Sequence, residues 1–96
     1  MNKYPLLTDK ELADGLNELT DWKLEDDGKW IVCKRLFPTF LEAIAFVNQV
    51  ASIAEDMNHH PFIGIDYRRV TIRLTTWNSR GLTILDLNSA RAYDRV

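Results

Sequence analysis

The chain has 96 residues, of which 46% are hydrophobic and 27% are charged, and its formal net charge is −2 at pH 7. This length suits one small domain with a modest core, so a single domain over residues 1–96 is predicted. The charge balance offers no broad basic field, which argues against direct binding to nucleic acid.

The chain is also predicted to stay out of membranes. No apolar run approaches the roughly 20 residues that a membrane span needs, and the first residues lack the long apolar stretch of a secretory signal. A single cysteine, Cys33, excludes an internal disulfide. A reducing, cytoplasmic location is the simplest expectation.

Three segments begin with a threonine followed three residues later by an acidic residue, which is the spacing of a capping box at a helix N-terminus. The pairs are Thr8 with Glu11, Thr39 with Glu42, and Thr83 with Asp86. The first helix contains Gly15, which weakens it by up to about 1 kcal/mol relative to alanine, so this helix is expected to rely on packing. The second helix is predicted to run to about Met57.

Segments of alternating polarity between these helices predict four strands. They are expected at about residues 22–24, 29–37, 62–67 and 70–76. Asp26-Asp27-Gly28 supplies turn residues for the first hairpin, and the second hairpin is expected to turn near Arg68-Arg69. In the last strand Thr71, Arg73 and Thr75 share a polar face, which is expected to be open.

The resulting order is helix, strand, strand, helix, strand, strand, helix. Sequential strands joined by short turns form antiparallel pairs. The predicted class is α+β, with a four-stranded antiparallel sheet and three helices packed on one face.

The second helix carries two neighbouring apolar stripes rather than one. The stripes are Phe40, Ile44, Val47, Ala51 and Ala54, and beside them Ala43, Phe46, Val50, Ile53 and Met57. One stripe can cover the sheet, but the second needs another partner in so small a domain. A homodimer or homotetramer is therefore predicted.

Both histidines of the chain, His59 and His60, stand between the second helix and Pro61. Proline disfavours helical geometry in the preceding residue, so the helix must end here. An imidazole has an ordinary pKa near 6.5, roughly, so either histidine can exchange a proton at neutral pH. The plainer alternative is a pair of polar residues that merely ends a helix.

A metal site is a further alternative, because Glu55 and His59 have the i, i+4 spacing of two ligands on one helical face. Zinc sites usually need three or four protein ligands, and the chain has neither a cysteine set nor a third histidine. A metal site is therefore not predicted.

Several separated positions together resemble the pterin-4a-carbinolamine dehydratase family. They are Glu55, His59-His60-Pro61, Tyr67, Trp77, Gly81-Leu82-Thr83 and Asp86. The resemblance is strong over the second half of the chain, and the hairpin that begins at Trp22 and the helix after it fit the same fold. Trp77 stands where many members have a third histidine, and an indole can stack on a flat ligand but cannot act as a base.

The resemblance implies the loss of water from a 4a-hydroxytetrahydropterin to give the quinonoid dihydropterin. This implied reaction requires no metal and no other cofactor. His59 and His60 would jointly exchange the protons. The substrate-binding positions would be Glu55, Pro61, Trp77 and Asp86. Plainer alternatives remain: Asp86 as a helix cap, Glu55 as a solvated residue, Trp77 as a packed aromatic and Tyr67 as core.

The alternative function is binding without catalysis. Proteins of this fold also act as dimerisation cofactors of transcription factors, and some dehydratase-like proteins are assembly factors for RuBisCO. The resemblance therefore leaves RuBisCO or a transcription factor as a possible partner. The intact His-His-Pro run and Asp86 favour the enzyme.

Overall fold

The computed structural model describes residues 3–96, and its helices and strands follow the predicted order. They are α1 (Asp9–Asn17), β1 (Trp22–Leu24), β2 (Ile31–Leu36), α2 (Phe40–Met57), β3 (Phe62–Asp66), β4 (Arg69–Leu74) and α3 (Ile84–Asp94). A short 3₁₀ turn at Trp77–Ser79 lies between β4 and α3. Within residues 3–96, none of the helices is long and apolar enough to cross a membrane.

The four strands form one antiparallel sheet in the order β1-β2-β4-β3. The central pair is β2 and β4, in which Cys33 lies opposite Ile72 and Ile31 lies opposite Leu74. The predicted α+β class, with three helices and a four-stranded antiparallel sheet, is confirmed. The edges of the sheet are β1 and β3.

One face of the sheet carries the core, because alternate side chains of each strand point to the same side. The buried residues of this face are Trp22, Ile31, Cys33, Val70, Ile72 and Leu74. They pack in one cluster with buried residues of α2 and α3, and Leu12 and Leu16 of α1 lie against that cluster.

The strands are shorter than predicted at the end nearest α3. Thr75 was expected on the open face but is buried, and its hydroxyl donates to the Lys29 carbonyl at 2.6 Å. The next residue, Thr76, pairs with Gly81 and closes a loop. β4 therefore ends at Leu74 rather than at Thr76, which pairs within the loop instead.

Two of the three predicted capping boxes are complete. Thr8 and Thr83 each bond with the acidic residue at N3 in both directions. At Thr39 only half of the prediction is right, because the Glu42 carboxylate accepts from the Thr39 hydroxyl rather than from the capping backbone N–H. The Thr39 oxygen still accepts from the Glu42 N–H at 3.1 Å, so α2 begins where predicted.

Gly15 has a packing role. A Cβ atom at Gly15 would lie 2.5 Å from a methyl carbon of Leu87, so α1 approaches α3 closely there. The expectation that α1 relies on packing is consistent with this contact.

The second stripe of α2 is the more buried one, with Ala43, Phe46 and Val50 buried against the rest of the chain. In the first stripe Ala54 is also buried, but Phe40 is 45% exposed. Leu41, which belongs to neither stripe, is 76% exposed. This leaves apolar surface uncovered at the start of α2.

Candidate active site

The end of α2 turns the two histidines in different directions. Asn58 adopts left-handed geometry (φ 51°), which asparagine tolerates better than most residues. The backbone N–H of His59 then donates to the Ala54 carbonyl at 3.2 Å, closing the helix end. After this reversal His59 is buried and His60 is exposed.

His59 meets a buried carboxylate from α3. Its Nε2 atom lies 2.7 Å from Oδ1 of Asp86, whose side chain is fully buried. An ionised carboxylate only accepts hydrogen bonds, so Nε2 carries the proton in this pair. The Nδ1 atom of a neutral His59 is then free to accept a proton.

Asp86 is itself held by the residues around the start of α3. Its Oδ2 atom accepts from the Thr83 backbone N–H and from the Thr76 hydroxyl, each at 2.9 Å. The Thr76 and Thr83 hydroxyls are 2.8 Å apart. A hydroxyl has one proton, so Thr76 donates to Asp86 and accepts from Thr83. This buried network fixes the carboxylate that orients His59.

His60 has its own carboxylate on the exposed side. Its Nε2 atom lies 2.8 Å from Oε1 of Glu55, with the two side chains 55% and 78% exposed respectively. Glu55 therefore contacts His60 and not His59, so the structure does not form the Glu55–His59 ligand pair considered above. Exposed pairs of this kind contribute about 0–1 kcal/mol.

The two histidines line a cleft of about 470 Å³. Its other lining residues are Lys3, Tyr4, Asn58, Thr75, Thr76, Trp77, Asn78, Ser79 and Leu85. The N-terminal segment forms one wall, since the Ser79 hydroxyl donates to the Tyr4 carbonyl at 2.5 Å. The Leu7 N–H donates to the Leu82 carbonyl at 2.9 Å.

Trp77 projects from the loop that Thr76 and Gly81 close. Its side chain is 75% exposed and meets Trp30 edge to face, with ring centroids 5.5 Å apart. Trp30 is held in turn by the guanidinium of Arg73, which lies 4.3 Å from its ring centroid and forms two hydrogen bonds with Glu25. Trp30 therefore packs against the indole of Trp77, which remains largely exposed and lines the cleft.

The six predicted site residues fall into three groups. His59, His60 and Trp77 line the cleft. Glu55 and Asp86 do not line it, but each contacts one of the histidines. Pro61 does neither, and lies between the histidines and the first residue of β3.

Sequence reasoning missed several residues of the cleft. Thr76 was assigned to the end of a strand, and the N-terminal residues Lys3 and Tyr4 were given no role. The only signal for Thr76 was a hydroxyl directly before Trp77. Tyr67 is not core as one alternative supposed, since it is 67% exposed and stacks on Phe40 with ring centroids 6.5 Å apart.

The chemistry available here is proton transfer between neighbouring imidazoles and a small molecule. Each histidine has one ring nitrogen bonded to a carboxylate, which leaves Nδ1 for a substrate. The exposed indole of Trp77 offers a flat apolar surface and one donor. Such a cleft suits a planar ligand that gains and loses protons.

Known proteins are similar to this chain in sequence and in fold. The sequence model of the family described as Pterin 4 alpha carbinolamine dehydratase matches residues 5–96. A protein of Sulfurisphaera tokodaii, provisionally named pterin-4-alpha-carbinolamine dehydratase, is 41% identical over 90 residues, which cover 94% of this chain and 95% of that protein.

Two solved structures are also similar. A transcriptional coactivator/pterin dehydratase from Brucella melitensis has a TM-score of 0.90 and 33% identity, over 94% of this chain and 96% of its own. A pterin dehydratase-like protein identified as a RuBisCO assembly factor in the alpha-carboxysome has a TM-score of 0.69 and 19% identity, over 79% of this chain and 88% of its own. The second likeness is one of fold alone.

The family model and the Sulfurisphaera tokodaii protein each match nearly the whole chain, including the segment that carries both histidines. They agree with the resemblance drawn from Glu55, His59-His60-Pro61 and Asp86. The chain belongs to the pterin-4a-carbinolamine dehydratase family.

Proposed function

We propose that the protein is a 4a-hydroxytetrahydropterin dehydratase. The reaction breaks the C4a–OH bond with delivery of a proton to the departing hydroxyl, and it removes a proton from N5, giving a C4a=N5 double bond and water. The single observation that carries the proposal is the pair of histidines in one cleft, each with a carboxylate on Nε2. Family membership supplies the pterin substrate.

The surroundings of the two imidazoles suggest different roles. Asp86 is buried, so its charge acts on His59 with little screening and stabilises the imidazolium that forms when His59 takes a proton. His59 is therefore assigned to N5 as the general base. His60 is exposed, so it can recover protons from water, and it is assigned to the C4a hydroxyl as the general acid.

The remaining site residues support these two. Asp86 and Glu55 orient the imidazoles, while Trp77 supplies a stacking surface for the flat bicyclic ring. Pro61 restricts His60 to extended geometry, immediately before β3 begins at Phe62. Both proton transfers use side chains of the protein, so the proposed reaction needs no metal or redox cofactor. Elemental analysis of the purified protein should find no stoichiometric zinc or iron, and one equivalent per chain would contradict this assignment.

Substitution of the histidines tests the proposal. His59→Gln and His60→Ala should each lower dehydratase turnover at least about 10-fold, since a positioned acid or base contributes about 10²–10⁴-fold. Glutamine at position 59 can still donate to Asp86 but cannot take a proton, which separates chemistry from folding. Asn48→Ala, on the exposed side of α2, is the matched control and should keep full activity.

Melting temperature and oligomeric state should stay nearly unchanged in both histidine variants. Equal rates for wild type, variants and buffer would refute the dehydratase and leave binding without catalysis as the better account. The RuBisCO assembly factor shares only the fold with this chain, so that partner remains a prediction without further support.

We also propose that the predicted domain, residues 1–96, self-associates as a homodimer or homotetramer. The exposed apolar residues at the start of α2 and the two unpaired sheet edges support this. A clean monomer by light scattering at micromolar concentration would refute it.

A reducing, cytoplasmic location is part of the same proposal. Cys33 is a buried free thiol, and burial raises its pKa, so the thiol stays protonated at neutral pH. A single buried thiol is typical of proteins kept in a reducing compartment. Recovery of the protein in a secreted or periplasmic fraction would contradict this location.

A further inference from the structure

A second, smaller hollow adjoins the cleft at Trp77. It encloses about 220 Å³ and is lined by Lys29, Trp30, Thr75, Trp77 and Arg80. Trp77 and Thr75 line both spaces, so the two spaces meet at these residues. A ligand that stacks on Trp77 in the cleft can therefore extend past the indole into the second hollow.

The second hollow carries two positive charges. The side chains of Lys29 and Arg80 make no ion pair within residues 3–96, whereas Arg73, Arg35 and Arg91 each do. Arg80 has left-handed geometry (φ 60°) at the end of the 3₁₀ turn. It belongs to the loop that the pairing of Thr76 with Gly81 closes.

The acidic residues of the first hairpin, Glu25, Asp26 and Asp27, line a separate hollow. Glu25 is bound by Arg73 through two hydrogen bonds, at 2.6 and 3.0 Å. Asp27 accepts from the Lys29 backbone N–H at 2.9 Å and lies with Asp26 in the hairpin turn. The hollow beside Trp77 is lined by no acidic residue. The hollow thus combines the cationic side chains of Lys29 and Arg80 with the aromatic residues Trp30 and Trp77.

We propose that the substrate of this protein is a reduced pterin whose side chain at C6 carries an anionic group, a phosphate monoester or a carboxylate, bound between Lys29 and Arg80. This inference rests on the proposed function. The bicyclic ring lies in the cleft against Trp77, and its C6 substituent passes over the indole edge into the second hollow.

Charge and geometry favour an anion over a neutral hydroxyalkyl chain. A guanidinium forms paired hydrogen bonds with phosphate or carboxylate, and an ammonium adds a second charge. A hydroxyl group would leave both cations with water alone as partner. Because the two side chains are exposed, the preference should be moderate and should weaken as salt screens it.

Binding of unreactive, oxidised pterins tests this without reliance on turnover. Three probes that differ only at the end of the C6 chain are compared by calorimetry: a phosphate monoester, a carboxylate and a neutral hydroxyl. Wild type should bind at least one anionic probe about 5-fold or more tightly than the neutral one, since exposed charge pairs contribute modestly. The advantage should shrink when salt is raised from 50 to 500 mM, roughly.

The variant Lys29→Gln/Arg80→Gln should bring the ratio of anionic to neutral affinity close to one. Using the ratio removes any effect that the substitutions have on stacking of the ring itself. Arg95→Gln, an exposed cation at the end of α3, is the matched control and should keep the wild-type ratio. The two anionic probes distinguish a phosphorylated from a carboxylated substrate.

Equal affinity of wild type for all three probes, or a ratio unchanged in the double variant, would overturn the inference. Neither result bears on the proposed function, because dehydration of the 4a-hydroxy form of the neutral pterin is measured separately. An inactive protein that still prefers an anionic probe, and loses that preference in the double variant, would refute the dehydratase and retain the anion site.

Discussion

Replacing Asp86 with asparagine changes the site at one contact only. An asparagine Oδ1 placed where Oδ2 now lies can accept from the Thr83 N–H and the Thr76 hydroxyl, so those bonds persist. The amide Nδ2 then faces Nε2 of His59 at the position of the present 2.7 Å bond. Since the amide donates, His59 must move its proton from Nε2 to Nδ1.

The magnitude follows from that change of tautomer. With its proton on Nδ1, His59 cannot accept another proton at the nitrogen left for the substrate, so the variant loses its general base. A positioned base contributes about 10²–10⁴-fold, and kcat/KM should therefore fall at least about 100-fold. The free energy of unfolding should fall by no more than about 3 kcal/mol, because a partner remains on every buried group.

The assay is dehydration of the 4a-hydroxytetrahydropterin followed across pH, with nitrogen NMR of the imidazoles to read the tautomer. Glu55→Gln is the parallel change at the exposed pair and should have a smaller effect on kcat/KM. Equal losses in Asp86→Asn and Glu55→Gln, or an Nε2 proton retained on His59 in Asp86→Asn, would refute the reasoning.

Three further perturbations test other parts of the chain. Thr76→Val removes a donor to the buried carboxylate and should lower the free energy of unfolding by about 1–3 kcal/mol in urea titrations. Thr71→Val on the open face should change it by less than about 0.5 kcal/mol, and equal costs would contradict the network. Burial raises the pKa of Tyr93 to about 12, so the native state keeps a proton that the unfolded chain loses above about pH 10. Stability should therefore fall as pH rises from about 10 to about 12, and Tyr93→Phe should fall less steeply in thermal melts; parallel curves would contradict this. Trp77→His should hold or raise turnover, whereas Trp77→Ala should chiefly raise KM through lost stacking; an unchanged KM in the alanine variant would remove the indole from the binding surface.

The helix starts could be predicted because capping is local. Thr8, Thr39 and Thr83 each act within one turn of chain, and each helix begins immediately after its threonine. The Glu42 carboxylate was the exception. It has two donors within reach at Thr39, a hydroxyl and a backbone N–H, and spacing alone cannot choose between them.

The contacts between the site residues could not be predicted from the sequence, because they depend on how distant segments pack. His59 and Asp86 are 27 residues apart, and only the packing of α3 against α2 brings them together. The i, i+4 spacing of Glu55 suggested His59, but the left-handed turn at Asn58 reverses the chain and gives Glu55 to His60 instead. A single αL residue thus decides which carboxylate meets which imidazole.

Asp86 serves α3 as well as His59, and this has an evolutionary consequence. A descendant that lost catalysis would still need Thr83 and Asp86, since losing a cap costs about 0.5–2 kcal/mol. His60 and Glu55 are exposed, and their pair adds at most about 1 kcal/mol. Only chemistry would keep His60 in place, so retention of His60 reports activity among relatives better than retention of Asp86.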